Sequence, residues 1–216
     1  MAKQVILSVG TKRGLFLLKS GASRKRWSVE GPFLKGWTVP YAMIDTRGTP
    51  RVHAAASHFT FGCNTLSGDI AGKKFTPAQT PPAFPKLNPK AAEFVEKYAL
   101  DKADRIWTIE PGHAKEKKVL YAGTAPAGLF RSEDLGKSWA PVDGLNDHPT
   151  RADWNPGAGG QCLHSIQVDP EDKDRMYVAI SAAGSFRTDD GGKNWKPINS
   201  CVAGYVGAPK DSDVGT

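Results

Sequence analysis

The stretch Phe130-Arg-Ser-Glu-Asp-Leu-Gly-Lys-Ser-Trp139 decides the architecture of this chain, because it recurs downstream as Phe186-Arg-Thr-Asp-Asp-Gly-Gly-Lys-Asn-Trp195. The two copies agree without a gap, and the agreement extends upstream to Tyr121 and Tyr177. Repetition in register over this length indicates that one structural unit is used more than once.

Weaker copies lie upstream. Ile6-Leu-Ser-Val-Gly-Thr-Lys-Arg-Gly-Leu-Phe16 resembles the segment 120–130 apart from a shorter turn, and Trp27 stands for the Trp of the repeat. The segment 52–75 is a degenerate copy, in which we expect Phe61 to take the place of Phe130. Each copy predicts strand, turn, strand, turn, strand, and a further apolar strand precedes the later copies. Four short antiparallel strands per repeat are typical of a propeller blade.

We therefore expect an all-β fold, a single β-propeller domain over residues 1–216 with about four blades. The expected blade segments are about 5–36, 38–78, 105–145 and 163–200, with an insertion at 79–104 that carries one short helix. Blade one begins at its second strand. Its first strand must come from elsewhere, and one possibility is a compact four-bladed ring in which the tail supplies it. An incomplete ring would expose sheet edges and allow self-association.

The repeated turn has a structural rationale. Its Asp can accept hydrogen bonds from backbone amides of the turn, its Gly can adopt a positive φ, and its Trp can cover the turn. A structural role is therefore expected for Ser132, Asp134, Gly136, Trp139, Thr188, Asp190, Gly192 and Trp195.

Composition narrows the functional classes. The net charge is +7, but eight of 29 basic and one of 22 acidic residues lie in residues 1–40, so the rest is neutral. The basic turn Arg24-Lys25-Arg26 is expected to be solvated, and we expect no nucleic-acid partner. No apolar run is long enough to span a membrane, and the N-terminus lacks a secretory pattern, so a cytoplasmic location without a membrane partner is expected. The three cysteines form no metal-binding pattern, and no metal or other cofactor is expected.

Topology predicts where a ligand would bind. The loops that join second to third strands, and one blade to the next, share one face of a propeller. The long loop 146–164 belongs to it, and can be interpreted either as a functional loop or as a glycine-rich lid whose side chains bond its own backbone. The candidate ligand-binding residues on this face are Arg13, His58, Arg105, His148, Arg151, Asp153, Trp154 and His164.

Sialidase chemistry would require Arg side chains that converge on the substrate carboxylate, a Tyr–Glu pair as nucleophile and base, and an Asp as general acid. Tyr41 is the residual candidate for the nucleophile, and we expect no Glu near it on the loop face. The acidic residues that end the first strands, Asp45, Glu110 and Asp169, are interpreted as turn formers. No catalytic residue is assigned.

The Ser/Thr-x-Asp-x-Gly-x-x-Trp turns resemble those of BNR (Asp-box) repeat β-propellers. Nearly the whole chain is similar to the sialidase-like, YVTN/BNR-like propellers named glycosyl hydrolases, through Arg105-Ile-Trp-Thr-Ile-Glu-Pro-Gly112, Asp147-His-Pro-Thr-Arg151 and Leu163-His-Ser-Ile166. The resemblance implies a soluble propeller of six or seven blades, of which we expect this chain to be the N-terminal part. We expect a module that binds a protein or a carbohydrate, and the alternative is a sialidase-like glycoside hydrolase.

Overall fold

The computed structural model describes residues 4–71, 74–84, 103–154, 160–181 and 183–200. The strands in chain order are β1 (Gln4–Thr11), β2 (Gly14–Gly21), β3 (Trp27–Phe33), β4 (Thr38–Asp45), β5 (Arg51–His58), β6 (Gly62–Asp69), β7 (Phe75–Pro77), β8 (Arg105–Pro111), β9 (Leu120–Ala125), β10 (Leu129–Ser132), β11 (Ala140–Pro141), β12 (Leu163–Val168), β13 (Met176–Ile180), β14 (Gly184–Thr188) and β15 (Lys196–Pro197). Between β11 and β12 lie the helix α1 (Asp143–Asn146) and a 3-10 helix (Arg151–Asp153).

Consecutive strands pair into four antiparallel sheets. The first sheet has three strands, β1 to β3, and β4–β7, β8–β11 and β12–β15 form three sheets of four strands. The first strands of successive sheets pack side by side, β4 against β8 and β8 against β12. Four-stranded meanders stacked in this way are the blades of a β-propeller, and the chain forms part of one, which confirms the predicted fold class.

Blade one lacks a first strand among the described residues. Its strand β1 packs against β4 of blade two, as the second strand β9 of blade three packs against β12 of blade four. The edge of β1 opposite β2 pairs with no described strand. Blade one is therefore described from its second strand onward, as the repeat predicts.

Each blade has a forward face, which packs on the next blade, and a rear face, which packs on the preceding one. In blades three and four, the rear faces of the second and third strands are apolar and buried. In blade three these include Leu120, Ala122 and Phe130, and in blade four Met176, Val178 and Phe186, all at most 2% exposed. The repeat therefore encodes packing between blades as well as the hairpins within each blade.

The forward faces carry small residues where the next blade begins. A Cβ atom on Gly10 would lie 2.3 Å from the backbone oxygen of Val39, and one on Gly123 would lie 2.4 Å from that of Leu163. Both glycines stand on the second strand of a blade, beneath the first strand of the next. The close approach of two backbones explains why the repeat keeps a small residue there.

Hydrogen bonds in both complete turns follow the expected pattern. Asp134 Oδ1 accepts from the backbone amides of Lys137 and Ser138 at 2.9 Å, and Ser132 Oγ accepts from the Gly136 amide at 2.8 Å. Gly136 has a φ of 81°. The side chain of Trp139 reaches across to blade two, where its Nε1 donates to Thr65 Oγ1 at 2.9 Å. This turn therefore also ties blade three to blade two.

The second turn closes on itself. Asp190 Oδ1 accepts from the Asn194 amide at 2.9 Å, and Gly192, at a φ of 94°, donates to Thr188 Oγ1. Trp195 Nε1 donates to the Gly192 carbonyl at 3.0 Å. Hydrogen bonds from the backbone and side chain of Asn194, and from Thr188, lower the pKa of Asp190 to about 2. The carboxylate is thus held ionised by the turn it organises.

One expectation about the core is wrong. Phe61 does not take the place of Phe130, because it lies in the turn between β5 and β6 with 72% of its surface exposed. Phe130 pairs with Ala122, and the corresponding pair in blade two is Leu66 with Ala54. Leu66 is the buried side chain, and Phe61 is free for another role. The helix predicted in the insertion lies outside the described residues.

Candidate functional site

Four aromatic rings cluster at one end of blade two. Trp37 directly precedes β4, and His58 ends β5; the two are neighbours because Thr38 pairs with Ser57. Phe59 and Phe61 belong to the turn that follows His58. We call Trp37, His58, Phe59 and Phe61 the aromatic shelf. It lies where a blade-to-blade loop meets a second-to-third-strand loop, on the face expected to bind a ligand.

The rings of the aromatic shelf stack on one another. Trp37 and Phe61 are nearly parallel, with an interplanar angle of 20° and centroids 6.1 Å apart. His58 lies between them, 5.2 Å from Trp37 and 4.9 Å from Phe61, and stacks on Phe59 at 4.6 Å. Phe59 is 97% exposed and Phe61 72%. A soluble domain seldom presents contiguous aromatic rings to water without a binding role.

Backbone geometry holds the shelf in place. The Trp37 amide donates to the Leu34 carbonyl at 3.0 Å, and Gly36 before it has a φ of 91°. The amide of Thr60 donates to His58 Nδ1 at 3.1 Å, so this nitrogen is an acceptor and an Nε2 proton faces outward on the neutral ring. The corresponding loops of blades one and three contain Lys12-Arg13 and Pro126-Ala127, so the shelf is particular to blade two.

Three of the predicted residues lie at the surface on separate blades. Arg13 sits in the turn after β1, where its amide donates to Thr11 Oγ1. Arg105 opens β8 with its guanidinium 5.0 Å from the centroid of the Trp107 ring. His164 is exposed on β12. Among the predicted candidates, His58 is the member of the aromatic shelf.

Two described side chains of the loop 146–164, His148 and Trp154, are turned inward. Trp154 is 1% exposed and His148 8%, and both pack against Phe186. His148 Nδ1 lies 2.8 Å from Thr150 Oγ1, and its Nε2 lies 3.3 Å from the Trp195 carbonyl. These contacts are of the kind expected for a lid whose side chains bond within the protein.

Arg151 is packed into the same lid. Its guanidinium lies 5.0 Å from the Trp154 ring centroid, and its Nη2 donates to the Ala127 carbonyl at 2.7 Å. Burial lowers the pKa of Arg151 to about 10, against the opposing effect of Asp147. Asp153, in the 3-10 helix, is exposed. The loop therefore offers a packed arginine to the interior and a carboxylate to solvent.

Tyr41 has a Glu partner that comes from strand β8 and not from the loops of the expected ligand face. The hydroxyl of Tyr41 donates to Glu110 Oε1 at 2.6 Å, and Thr108 Oγ1 donates to the same oxygen at 3.1 Å. The pair joins the first strands of blades two and three, so Glu110 contributes a contact between blades. Burial first, and then the bond to Glu110, raise the pKa of Tyr41 to about 12. A phenol with this pKa stays protonated near neutral pH.

A groove separates blades three and four at the opposite end from the shelf. Its volume is about 710 Å³, and its walls include Arg131, Glu133, Asp143 and Lys193. Arg131 is held by ion pairs with Glu116 and Glu133. The walls carry two basic and two acidic side chains, so no single ligand charge is favoured there.

Neither a metal-binding cluster nor a membrane-spanning helix is found among the described residues. In that part of the chain, no group of three His, Cys, Asp or Glu side chains is placed to hold a metal ion. No helix there is long and apolar enough to cross a bilayer. Cys63 and Cys162 are free thiols, and burial raises the pKa of Cys63.

Comparison with known sequences gives partial matches. No family model matches the chain. A probable oligoxyloglucan-reducing end-specific xyloglucanase of Neosartorya fischeri is 35% identical over 80 residues, which cover 37% of this chain and 9% of that protein. Vacuolar protein sorting/targeting protein 10 of Colletotrichum graminicola is 33% identical over 82 residues, 38% of this chain and 4% of that protein. The chain thus matches a small fraction of the length of these relatives.

Solved structures match over most of the chain. The GH74 xyloglucanase of Xanthomonas campestris superposes with a TM-score of 0.58 at 18% identity, covering 96% of this chain and 29% of that one. The GH74 enzyme of Niastella koreensis gives 0.53 at 17%, covering 88% and 27%. YCF48 of Cyanidioschyzon merolae gives 0.51 at 14%, covering 88% and 52%. What these proteins share with this chain is the β-propeller fold.

Proposed function

We propose that this chain binds a neutral glycan, and that the aromatic shelf is the contact surface. The carrying observation is the exposure of Phe59 and Phe61 at the rim of blade two, where Phe61 stacks on the half-buried Trp37 and Phe59 stacks on His58. Sugar rings present flat C–H faces, which pack on aromatic faces, and stacking of this kind is worth about 0.5–1.5 kcal/mol per ring. The likeness to two xyloglucanases supports a polysaccharide as the class of ligand to test.

The proposal concerns neutral rather than acidic glycans. A carboxylate-bearing sugar is normally held by a bidentate arginine. Arg151 is packed against the Trp154 ring, where its Nη2 donates to the Ala127 carbonyl and its Nη1 is buried without a partner among the described residues, and Arg105 lies over Trp107. Stacking on uncharged ring faces is therefore the recognition that the described side chains support best.

Binding to soluble xyloglucan, measured by isothermal titration calorimetry, tests this function. Phe61→Ala and Trp37→Ala should each raise the Kd about 2- to 10-fold, which is the loss of one stacked ring. Trp27→Ala is the matched control, because Trp27 is an aromatic side chain on blade one with 37% exposure. Near-UV circular dichroism of each variant monitors folding.

Two outcomes would contradict the proposal. Unchanged affinity for xyloglucan in folded Phe61→Ala and Trp37→Ala would show that the aromatic shelf does not contact the glycan. Equal or tighter binding of polygalacturonate, a uronic acid polymer, would show that negative charge is recognised and that neutral stacking is the wrong chemistry.

A hydrolase is the second candidate, favoured by the Tyr41–Glu110 pair and by the enzymes among the structural neighbours. A tyrosine nucleophile must lose its proton to an adjacent carboxylate, and Glu110 Oε1 is placed to accept it. The raised pKa of Tyr41 opposes this role. Release of reducing ends from xyloglucan or a sialoside, abolished in Tyr41→Phe, would establish the enzyme over the binding module.

A further inference from the structure

Cys63 connects the aromatic shelf of blade two to the start of blade three. Its thiol donates to the Ala103 carbonyl at 2.8 Å, and its side chain packs against the apolar cluster that contains Ile106. Cys63 stands two residues after Phe61, and Ala103 stands two residues before Arg105. Because an extended chain advances at most about 3.6 Å per residue, the Cα atoms of Phe61 and Arg105 lie within about 22 Å of each other. The shelf and the beginning of β8 are therefore neighbours.

Arg105 is exposed at this junction and is positioned by Trp107. Its guanidinium carbon lies 5.0 Å from the centroid of the Trp107 ring. The backbone is fixed by pairing of Arg105 with Ala125 and by the Asp104 amide, which donates to the Ala125 carbonyl at 2.8 Å. Among the described residues, no acceptor takes a hydrogen bond from the Arg105 guanidinium. Its N–H donors are therefore free to meet a ligand.

Arg187 on blade four shows the same kind of ring contact with a different outcome. Its guanidinium lies 5.8 Å from the centroid of the Tyr177 ring, but its Nε and Nη2 both donate to Asp189 Oδ1. The donors of Arg187 are thus used inside the protein. Arg105 keeps the ring contact, which orients a planar guanidinium, and leaves the donors open.

A β-bulge lies at Trp107. The pairing of β8 with β9 shifts between Ile106 and Thr108, and the first strands of blades two and four shift at the corresponding step. A bulge re-aims a side chain and often lies beside a binding site. The residues that correspond to Trp107 are Pro40 and His164, so an aromatic ring occupies this position in blade three alone among the three described bulges. Trp107 is half-buried, and its Nε1 is buried without a partner among the described residues.

We propose that Arg105 and Trp107 form a second subsite for the glycan that the aromatic shelf binds, an inference that rests on the proposed function. Phe59 and Phe61 offer ring faces to one part of the glycan, and Arg105 donates to hydroxyl oxygens of another part. Hydroxyl oxygens are uncharged acceptors, so the ligand stays neutral. One oligosaccharide spans the junction between blades two and three, and the site selects a chain long enough to reach both subsites.

Isothermal titration calorimetry with xyloglucan and with its oligosaccharides of increasing length tests the second subsite. The affinity of the unmodified chain should rise with ligand length. Arg105→Ala should raise the Kd of the longest ligand about 2- to 10-fold, the loss of one hydrogen-bonded contact, and leave that of the shortest unchanged. Arg105→Lys should lose affinity in the same way, because an ammonium lacks the planar fork. Arg187→Ala is the matched control and should bind every ligand like the unmodified chain.

The outcomes separate this inference from the proposed function. If Phe61→Ala weakens binding while Arg105→Ala binds every ligand normally, the second subsite is wrong and the shelf stands. If the unmodified chain does not bind xyloglucan, both are wrong. Equal weakening in Arg187→Ala, or full affinity in Arg105→Lys, would show that positive charge alone acts and would overturn the subsite. Trp107→Ala should weaken the same long ligands, with near-UV circular dichroism to monitor folding; if it fails to fold, the exposed Arg105 variants still decide.

Discussion

Acid should destabilise this protein through one buried histidine. His53 on β5 is 1% exposed, and its Nδ1 lies 2.7 Å from Ser67 Oγ. Ser67 donates its own proton to the Leu135 carbonyl, so Nδ1 is the donor and Nε2 is unprotonated. That Nε2 is buried and has no hydrogen-bond partner among the described residues. Protonating it would bury a charge with no acceptor.

The pKa gives the size of the effect. Burial lowers the pKa of His53 from 6.5 to about 4; Asp45 opposes this shift, while Arg51 and Arg47 add to it. Because the folded-state pKa is the lower one, the stability is fully present above pH 6.5 and is lost as the pH falls towards 4. With these two pKa values, linkage lowers the free energy of unfolding by about 1.4 kcal/mol at pH 5.5 and by about 2.6 kcal/mol at pH 4.5, relative to the protein with His53 fully neutral.

Urea denaturation at pH 7.0, 5.5 and 4.5 measures these losses. In His53→Leu the side chain has a similar volume and does not titrate, so the pH dependence above pH 4.5 should be smaller by the amounts given. The carboxylates of Asp45, Asp134 and Asp190 have lowered pKa values and contribute below this range in both proteins. Parallel stability curves for the two proteins would refute the assignment of acid sensitivity to His53.

Two further predictions concern packing between blades. Arg47→Met should lower the free energy of unfolding by about 3–5 kcal/mol. Arg47 pairs with the buried Asp45 and donates to the Gly112 and Val119 carbonyls. The exposed control Lys173→Met should change the free energy of unfolding by less than about 1 kcal/mol. Equal effects in urea denaturation would contradict the role of Arg47. Gly123→Ala should lower the free energy of unfolding by about 1–3 kcal/mol, because the added Cβ would meet the Leu163 carbonyl. In the control Gly21→Ala the added Cβ enters open space, so the stability should not change. Melting temperatures of the two variants and the unmodified chain measure the difference.

The repeat was a sufficient guide to the blades and their turns. Asp134 and Asp190 stand at the same place in two copies, and both accept the predicted amides. A hydrogen bond between residues a few positions apart depends on local backbone conformation, which the intervening Gly and polar residues specify. Such features can be predicted without knowledge of the neighbouring blades.

An alignment of the degenerate copy on its Phe places Phe61 in the core and therefore hides the aromatic shelf. The signal that could have found it is His58-Phe-Thr-Phe61, aromatic side chains in a turn that holds Lys-Arg or Pro-Ala in other blades. The correct alignment of blade two depends on its cross-strand register, in which Leu66 and not Phe61 faces Ala54. Register was fixed by pairing over the whole of β5 and β6, which a single Phe does not reveal.

The sequence by itself determined the repeated blades and the hydrogen-bonded turns at Asp134 and Asp190, because both follow from positions that recur along the chain. Only the tertiary structure decided which polar and aromatic side chains meet. Tyr41 and Glu110 come from different blades, as do Trp139 and Thr65, and His148 and Trp154 turn inward from a loop with no counterpart in the repeat. Contacts between blades depend on how sheets stack, and a one-dimensional pattern specifies stacking only where it repeats.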